Sequence, residues 1–181
     1  MDWYGDHEAK PAPGRLRLVQ ALVNTVDRES GQDRLADPAD AASWLTENGL
    51  LRSGGQLTDH DRRTVIEVRE ALRALIIDAA AEPAALTRLA AAGRAVATLG
   101  DGGRIVLAPD GDTVTDRLFG LLLIVKDAQD DGSWDHLKAC ANEDCRWAFY
   151  DRSRNHGGTW CDMSTCGNKL KNREFRARRK G

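Results

Sequence analysis

The chain has 181 residues, of which 41% are hydrophobic and 30% charged, a composition that is typical of a globular protein and excludes an intrinsically disordered chain. The first residues lack the basic and apolar regions of a secretory signal. The longest apolar run, Leu118 to Val125, is interrupted by Gly120 and is far too short to cross a bilayer. We therefore expect a cytoplasmic protein with no membrane partner.

The net charge of −2 conceals a division along the chain. Residues 1–136 hold 15 Lys and Arg against 23 Asp and Glu, whereas residues 137–181 hold 11 against 5. An acidic body therefore carries a basic end. This asymmetry indicates that the basic end meets an anionic partner.

The first helices are predicted from polar caps and apolar spacing. Residues 1–14 are polar, contain prolines and are expected to be flexible. A short amphipathic helix should follow and end near Asn24-Thr25-Val26. Its apolar side chains are Leu16, Leu18, Val19, Leu22, Val23 and Val26. A second helix is expected to begin at Asp37-Pro38 and to end at Asn48-Gly49.

Two further helices are predicted before the first glycine-rich break. Thr58 and Asp61 resemble a capping box and begin the most regular helical pattern of the chain. Pro83 begins a fourth predicted helix. Its apolar face includes Leu86, Leu89, Val96 and Leu99. The glycine-rich residues 100–103 end this pattern.

A β-hairpin and one more helix complete the predicted body. Residues 104–108 and 113–115 are typical of strands, and a turn signal separates them. Residues 116–129 return to an apolar helical pattern. The predicted fold class is therefore mainly α with a small β-hairpin.

The predicted organisation has three parts. A flexible N-terminus (residues 1–14) precedes a helical body (residues 15–132), and the body precedes a C-terminal module (residues 133–181). The linker signal Asp130-Asp131-Gly132 marks the second boundary. We expect the body to serve as a sensor, as a dimerisation domain, or as both.

Four cysteines in the last quarter of the chain indicate a metal site. Cys140, Cys145, Cys161 and Cys166 form two pairs with four intervening residues each, and fifteen residues separate the pairs. Each pair can form one knuckle whose sulfurs reach the same zinc ion at about 2.3 Å. The alternatives are two disulfides, which a reducing compartment disfavours, or four unrelated thiols. Four sulfur ligands would leave no open coordination position, so one structural Zn²⁺ is expected.

The residues around the cysteines predict the order of a treble-clef zinc finger. Residues 147–150 and 159–161 have strand-like composition, and residues 152–158 supply a turn between them. Ser164 can cap a helix that begins at Thr165 and continues into the basic tail. The helix would then hold Cys166 in its first turn, where the free N–H groups favour a thiolate.

The tail that follows predicts contact with nucleic acid. It carries seven positive charges against the single Glu174, and charges of one sign around a helix suit a row of phosphates. The residues expected at DNA are Arg152, Arg154, Asn155, Trp160, Asn168, Lys169, Lys171, Arg173, Arg176, Arg178 and Arg179. Asn168 could equally be a structural cap, and a solvated C-terminal run is the alternative for the tail.

The finger resembles a known family. Cys140-Ala-Asn-Glu-Asp-Cys145 and Cys166-Gly167-Asn168-Lys169 resemble the CGNR-type zinc finger, a bacterial family named after its Cys-Gly-Asn-Arg motif. The body resembles the ABATE domain that usually precedes this finger, through Leu22-Val23-Asn24-Thr25 and the Trp44 to Leu50 stretch. Lys169 stands where the motif has Arg, so it keeps the charge for a phosphate but loses the planar fork for a bidentate contact.

This resemblance implies a transcription regulator that binds DNA through the finger and senses a ligand or stress through the body. We expect DNA and a small-molecule effector as partners, location at the nucleoid, and a homodimer, because regulators often read two half-sites. Binding to RNA stays open, because the charge of the tail does not distinguish the two nucleic acids.

The main alternative is a zinc–thiolate, redox-sensitive module that binds a protein and does not bind DNA. Catalysis is not expected. His156, in the turn between the cysteine pairs, could replace a thiolate or serve a nuclease. It is not accompanied by the further histidine or carboxylate pair that a second, open metal site would need.

Overall fold

The computed structural model describes residues 8–169, 171 and 172. Its five α-helices lie in the body, in the order Leu16–Val23 (α1), Pro38–Glu47 (α2), Asp59–Ile77 (α3), Ala84–Ala92 (α4) and Val114–Asp130 (α5). Six short strands pair two by two as antiparallel hairpins, in the order Val26–Asp27 (β1), Gln32–Asp33 (β2), Ala95–Leu99 (β3), Ile105–Pro109 (β4), Leu137–Ala139 (β5) and Ala148–Tyr150 (β6). The mainly helical fold class with small hairpins is therefore confirmed.

Local capping explains where the predicted helices begin. Asp37 accepts hydrogen bonds from the N–H groups of residues 39 and 40, so it caps α2 as expected. The capping box at Thr58 is also confirmed, because its hydroxyl accepts from the N–H of Asp61 and the Asp61 carboxylate accepts from the N–H of Thr58. The first helix ends at Val23 with Asn24 as its C-cap, next to the predicted end. Val26, which the sequence predicts on its apolar face, instead begins β1.

The hairpin of the body begins earlier in the chain than the sequence predicted. The predicted first strand, residues 104–108, corresponds to the second strand of the hairpin, β4. The fourth helix ends at Ala92, and Val96 and Leu99 belong to β3, which pairs with β4 so that Ala97 lies opposite Leu107. An ideal Cβ at Gly93 would collide with the Phe119 ring, so a glycine is needed where the chain leaves α4.

The predicted second strand of that hairpin, residues 113–115, is instead the start of α5. The Thr113 hydroxyl accepts a hydrogen bond from the N–H of Asp116, and the Asp116 carboxylate accepts one from the N–H of Thr113. This second capping box outweighs the strand propensity of Thr-Val-Thr.

One apolar core is shared by the body and the first part of the finger segment. Its fully buried side chains in the body include Leu22 (α1), Leu72 (α3) and Leu118 (α5). Leu137 of β5 and Ala148 of β6 belong to the same core. The finger hairpin is therefore packed onto the body by the apolar contacts that also hold the helices together.

The described part of the N-terminal segment also contacts the finger. The N–H of Tyr150 donates to the Lys10 carbonyl, the Lys10 ammonium donates to the Trp160 carbonyl at 2.8 Å, and Ala12 is buried. Residues 8–12 thus lie across β6. Among the helices of the described residues, none is both long and apolar enough to cross a membrane.

Candidate metal centre and adjoining basic face

The four cysteines of the predicted metal site come together in space. Their sulfur atoms all lie within 4.8 Å of one another, with 3.7 Å between Cys145 and Cys161 and 3.8 Å between Cys161 and Cys166. A zinc–sulfur bond of about 2.3 Å implies a tetrahedron with edges of about 3.8 Å. The arrangement therefore has the dimensions of a four-sulfur zinc site, and the four cysteines can hold one zinc ion.

The chemistry of the thiols also suits a cation. The neighbouring Cys145 and Cys161 thiols lower the pKa of Cys140, and Cys140 in turn raises the pKa of Cys145 and Cys161. One negative charge among the sulfurs thus opposes the formation of others. A divalent cation removes that obstacle, because its charge lets all four sulfurs ionise together.

The first knuckle is shaped by Asn142. Its carbonyl accepts hydrogen bonds from the N–H groups of Cys145 and Arg146, and Arg146 adopts a left-handed backbone conformation with φ of 51°. The Asn142 side chain is buried, and its amide lies 3.8 Å from the Cys166 sulfur of the other knuckle. Asn142 therefore links the two halves of the site, as residues outside the ligand set commonly do.

In the second knuckle, the capping residue is Asp162 and not Ser164, which the sequence predicted. Met163–Gly167 form a turn of π-helix that is capped by Asp162. The Asp162 carboxylate accepts hydrogen bonds from the Ser164 hydroxyl and the Thr165 N–H, and these bonds lower its pKa. The expectation that Ser164 itself is the cap is wrong, because its hydroxyl serves as a donor to Asp162. The turn places the buried Cys166 beside the other sulfurs.

The finger hairpin has a different partner strand from the predicted one. Residues 148–150 do form a strand, but they pair with β5 at residues 137–139, so that the first knuckle is enclosed in the hairpin loop. The segment 159–161 is not a strand, and it joins the knuckle by one main-chain hydrogen bond from Ala141 to Thr159. The predicted pairing of 147–150 with 159–161 is therefore wrong.

A buried carboxylate stabilises the turn at residues 152–158. Asp151 accepts hydrogen bonds from the Lys138 ammonium at 2.9 Å, the Ser153 N–H at 3.0 Å and the Gly158 N–H at 2.7 Å. Burial disfavours the charged form of Asp151, but these donors outweigh it and hold the pKa of the carboxyl well below its usual range. A Cβ at Gly158 would lie 2.7 Å from this carboxyl group, so only glycine lets the loop come so close.

Two polar side chains of α1 and its C-cap clamp the finger to the body. The buried Asn24 side chain accepts from the N–H of Ala148 and donates to its carbonyl, both at 2.8 Å. The buried Gln20 donates to the same carbonyl at 3.1 Å. Asn24 also donates to Glu8, whose carboxylate accepts from the Trp147 indole at 2.9 Å. We call this set, Glu8, Gln20, Asn24 and Trp147, the interdomain clamp.

A second link runs from α3 to the first knuckle. Arg73 is buried, donates to the Val23 carbonyl at 2.6 Å and to the Arg146 carbonyl at 2.9 Å, and pairs with Glu70 at 3.1 Å. Burial lowers the pKa of the Arg73 guanidinium, which the Glu70 carboxylate partly offsets. The guanidinium thus satisfies main-chain carbonyls on both sides of the interface.

A third link joins the β1–β2 turn to the metal centre. One oxygen of Glu29 accepts from the Asn142 amide at 2.9 Å, and the other accepts from the Lys169 ammonium at 2.7 Å. This ion pair raises the pKa of Lys169, whose side chain nevertheless stays 59% exposed. A carboxylate of the acidic body therefore contacts the first cation of the basic tail.

The predicted DNA residues in the turn face different surroundings. Arg154 and Asn155 are exposed, whereas the Arg152 guanidinium donates to the Pro11 carbonyl and lies 5.8 Å from the Tyr150 ring centre. Trp160 is half-buried against the cysteine cluster. Trp160 is thus part of the small apolar core around the sulfurs.

The start of the tail helix is solvent-facing. Asn168, Lys169 and Lys171 are exposed, and the Asn168 amide donates to the Ser164 carbonyl one turn earlier at 3.1 Å. This local bond is the kind of structural role that we weighed for Asn168. The remaining predicted contacts lie outside the described residues, namely Arg173, Arg176, Arg178 and Arg179.

The histidine that we weighed as a catalytic or ligand residue lies outside the cysteine cluster. The His156 and His136 ring centres are 4.1 Å apart. Within residues 8–169, 171 and 172, the cysteines are the only group of three or more Cys, His, Asp or Glu side chains close enough to share an ion.

Sequence reasoning missed the residues that join the finger to the body. Asn24, Glu29, Arg73 and Asn142 make contacts between positions 73 to 140 residues apart, which no local pattern reports. One signal was available, since Gln20 and Asn24 interrupt an apolar helix face with amides that need buried partners.

The fold and site together define a zinc-finger protein with a helical N-terminal domain. Residues 136–179 match the family model described as "CGNR zinc finger", and residues 16–130, more than half of the chain, match the ABATE model described as "Putative stress-induced transcription regulator". The chain therefore belongs to the ABATE family, which confirms the resemblance drawn from its motifs. Comparison with curated proteins finds no match.

Proposed function

We propose that this protein is a DNA-binding transcription regulator. The zinc-held finger and the basic tail bind DNA, and the helical body responds to a ligand or stress. The protein acts as a homodimer at the nucleoid, by binding and not by catalysis. The observation that carries this proposal is the position of the tail helix. It follows directly on the π-helical turn that holds the last metal ligand, Cys166, and it presents the exposed Asn168, Lys169 and Lys171.

The charge distribution supports DNA as the partner. The body is acidic and the finger segment is basic, so a polyanion is attracted to one end of the molecule and repelled from the other. Glu29 forms an exposed ion pair with Lys169 and so competes with DNA for this lysine. Such exposed pairs contribute about 0–1 kcal/mol. A DNA phosphate can therefore displace this carboxylate at small cost.

A cavity beside the interdomain clamp supports a small-molecule effector. It has a volume of about 240 Å³, and its lining includes Glu8, Arg17, Gln20, Asn24, Trp44 and Glu47. These side chains are mainly polar around one aromatic ring, which suits a small polar ligand. Because Glu8 binds Trp147 and Asn24 binds Ala148, a ligand in this cavity would act directly on the contacts that orient the finger.

The proposal is tested by measuring binding to short labelled duplexes that tile the DNA upstream of the protein's own coding region. The Lys169→Gln/Lys171→Gln double variant should bind more weakly, and the slope of log K against log salt should become shallower by about 0.9 for each phosphate that the variant no longer neutralises. Lys126→Gln is the matched control, because Lys126 is an exposed lysine of the body helix α5. An unchanged affinity and salt slope in the double variant would overturn the DNA proposal.

One observation favours a second candidate, a redox-sensitive module that binds a protein. Cys145 and Cys161 are only half-buried and their sulfurs are 3.7 Å apart, so they are the pair most accessible to an oxidant. Oxidation of this pair would release zinc. Zinc release at low peroxide concentration, in a protein that binds none of the tiled duplexes under reducing conditions, would favour this candidate over the first.

A further inference from the structure

The β3–β4 hairpin is an unusual surface for a protein that works as a monomer. Of the six large hydrophobic side chains that are exposed within the described residues, four lie on this hairpin, and Leu99 and Ile105 are 74% and 70% exposed. The remaining two are Val96 and Leu107. A concentration of apolar side chains of this kind marks an interaction surface.

The outer edge of β3 has its main-chain groups available. The hydrogen bonds from Gly100 to Arg104 and from Asp110 to Arg94 fix the alternation of the ladder, so residues 94, 96, 98 and 100 point their main-chain groups towards β4. The N–H and C=O groups of Ala95, Ala97 and Leu99 therefore point outward. The whole of β3 is exposed, and β4 is the strand that packs against α5.

This edge lacks the usual protection. Exposed edge strands ordinarily carry a charge, a proline or a bulge that prevents pairing, whereas β3 reads Ala-Val-Ala-Thr-Leu and is regularly paired along its length. The unprotected edge indicates that β3 can accept a further strand.

We propose that β3 pairs antiparallel with β3 of a second copy of this chain, with Ala97 opposite Ala97 across a twofold axis, to form a four-stranded sheet. This inference rests on the homodimer of the proposed function and names its interface. A strand edge is self-complementary under twofold symmetry, because each copy offers the same alternating donors and acceptors to the other.

Side chains and charges fit this register. Pairing about Ala97 places each Leu99 opposite the partner's Ala95, so that a large side chain meets a small one at both ends of the strand. It also places Arg94 opposite the partner's Gly100, directly beside the partner's Asp101. Arg94 and Asp101 are both exposed, so the two copies gain two pairs of opposite charges.

The test uses the full-length, zinc-loaded protein without DNA, and measures its mass by sedimentation over a concentration series. The wild-type protein should be a dimer. Ala97→Lys places two lysines directly opposite each other and should raise the dimer dissociation constant at least tenfold, and Ala97→Glu should do the same. An equal mixture of the two variants should recover the dimer, because unlike charges then face each other.

The mixture also shows that both variants are folded. Ile77→Lys is the matched control, since Ile77 is an exposed hydrophobic residue of α3 outside the hairpin, and it should leave the dissociation constant unchanged. A wild-type dimer that Ala97→Lys does not weaken would overturn this interface while leaving the homodimer intact. A monomeric wild type would overturn the homodimer and the interface together, without bearing on DNA binding by the tail.

Discussion

The body and the finger are stabilised by different kinds of contact. In the body, fully buried leucines such as Leu22, Leu72 and Leu118 pack three helices against one another. In the finger, the core is a group of sulfurs with Trp147 and the half-buried Trp160. Polar links and the apolar contacts of the finger hairpin attach it to the body. The comparison teaches that burial of apolar surface can hold the body together, whereas the finger needs an ion and a neighbour.

Removal of the metal should have the largest effect, and it should unfold the finger while the body stays folded. Cys166→Ser, or a strong chelator, should release the zinc and unfold the two knuckles, since structural zinc contributes on the order of 10 kcal/mol to small modules. Limited proteolysis should then cut within residues 140–169 while residues 16–130 resist cleavage. Asn155→Ser, in the exposed turn, is the control that should retain zinc. Equal sensitivity of body and finger to the protease would contradict the division.

Loss of the clamp should destabilise the finger without touching the ligands. Asn24→Ala removes two hydrogen bonds to Ala148 and leaves the buried N–H of Ala148 without an acceptor, at a cost of about 2–4 kcal/mol. Thermal unfolding followed by tryptophan fluorescence measures this, because Trp147 lies in the finger core. Asn155→Ala is matched in chemistry and exposed, and it should change the midpoint little. Equal midpoints for the two variants would show that the clamp contributes nothing.

The Asp151 carboxylate should contribute less, and with a defined pH dependence. Asp151→Asn should lower the free energy of unfolding by about 1–3 kcal/mol, because Lys138 and two N–H groups lose a charged acceptor. The folded pKa lies below the unfolded value of about 3.9, so the contribution is complete above that value and is lost as the pH falls through the folded pKa.

Denaturant unfolding of the wild type and of Asp151→Asn should therefore show a constant difference between pH 6 and 8. A difference that changes across this neutral range would contradict the assignment of the effect to a carboxylate that is already ionised.

The smallest effect is expected at the link between Glu29 and the tail. Glu29→Gln removes a competitor for Lys169 and should increase affinity for DNA by up to about fivefold, the equivalent of about 1 kcal/mol. The measurement is the binding titration with labelled duplexes at low salt. Glu82→Gln, an exposed carboxylate of the body outside both proposed sites, is the control. Weaker DNA binding by Glu29→Gln would indicate that the contact positions Lys169 for DNA.

Local signals predicted the parts of the fold that depend on neighbouring residues. The cap at Asp37 and the capping box at Thr58 were recognised because each is complete within four residues. The hairpin was misplaced because Val96 and Leu99 continue the helical spacing of Leu86 and Leu89, and the tight packing of Phe119 on Gly93 is a tertiary contact. Tertiary packing decided that segment against the local pattern.

The candidate site shows the same limit. Spacing alone predicted the four cysteines, because two knuckles are themselves local structures. The partner of β6 could not be predicted, since residues 137–139 and 159–161 are both short and equally near in sequence. The links through Asn24 and Glu29 depend on how the finger lies on the body, and the spacing of residues in the sequence does not indicate that arrangement.

The shared core has a consequence for how such proteins diversify. Leu137 and Ala148 of the finger hairpin are buried among the helices, and Phe149 lies beneath Lys10 of the N-terminal segment. A finger exchanged between two proteins at residue 132 would bring an apolar underside that its new host has no matching surface to cover. Recombination in this architecture should therefore succeed only when α1, its Asn24 cap and the finger are transferred together.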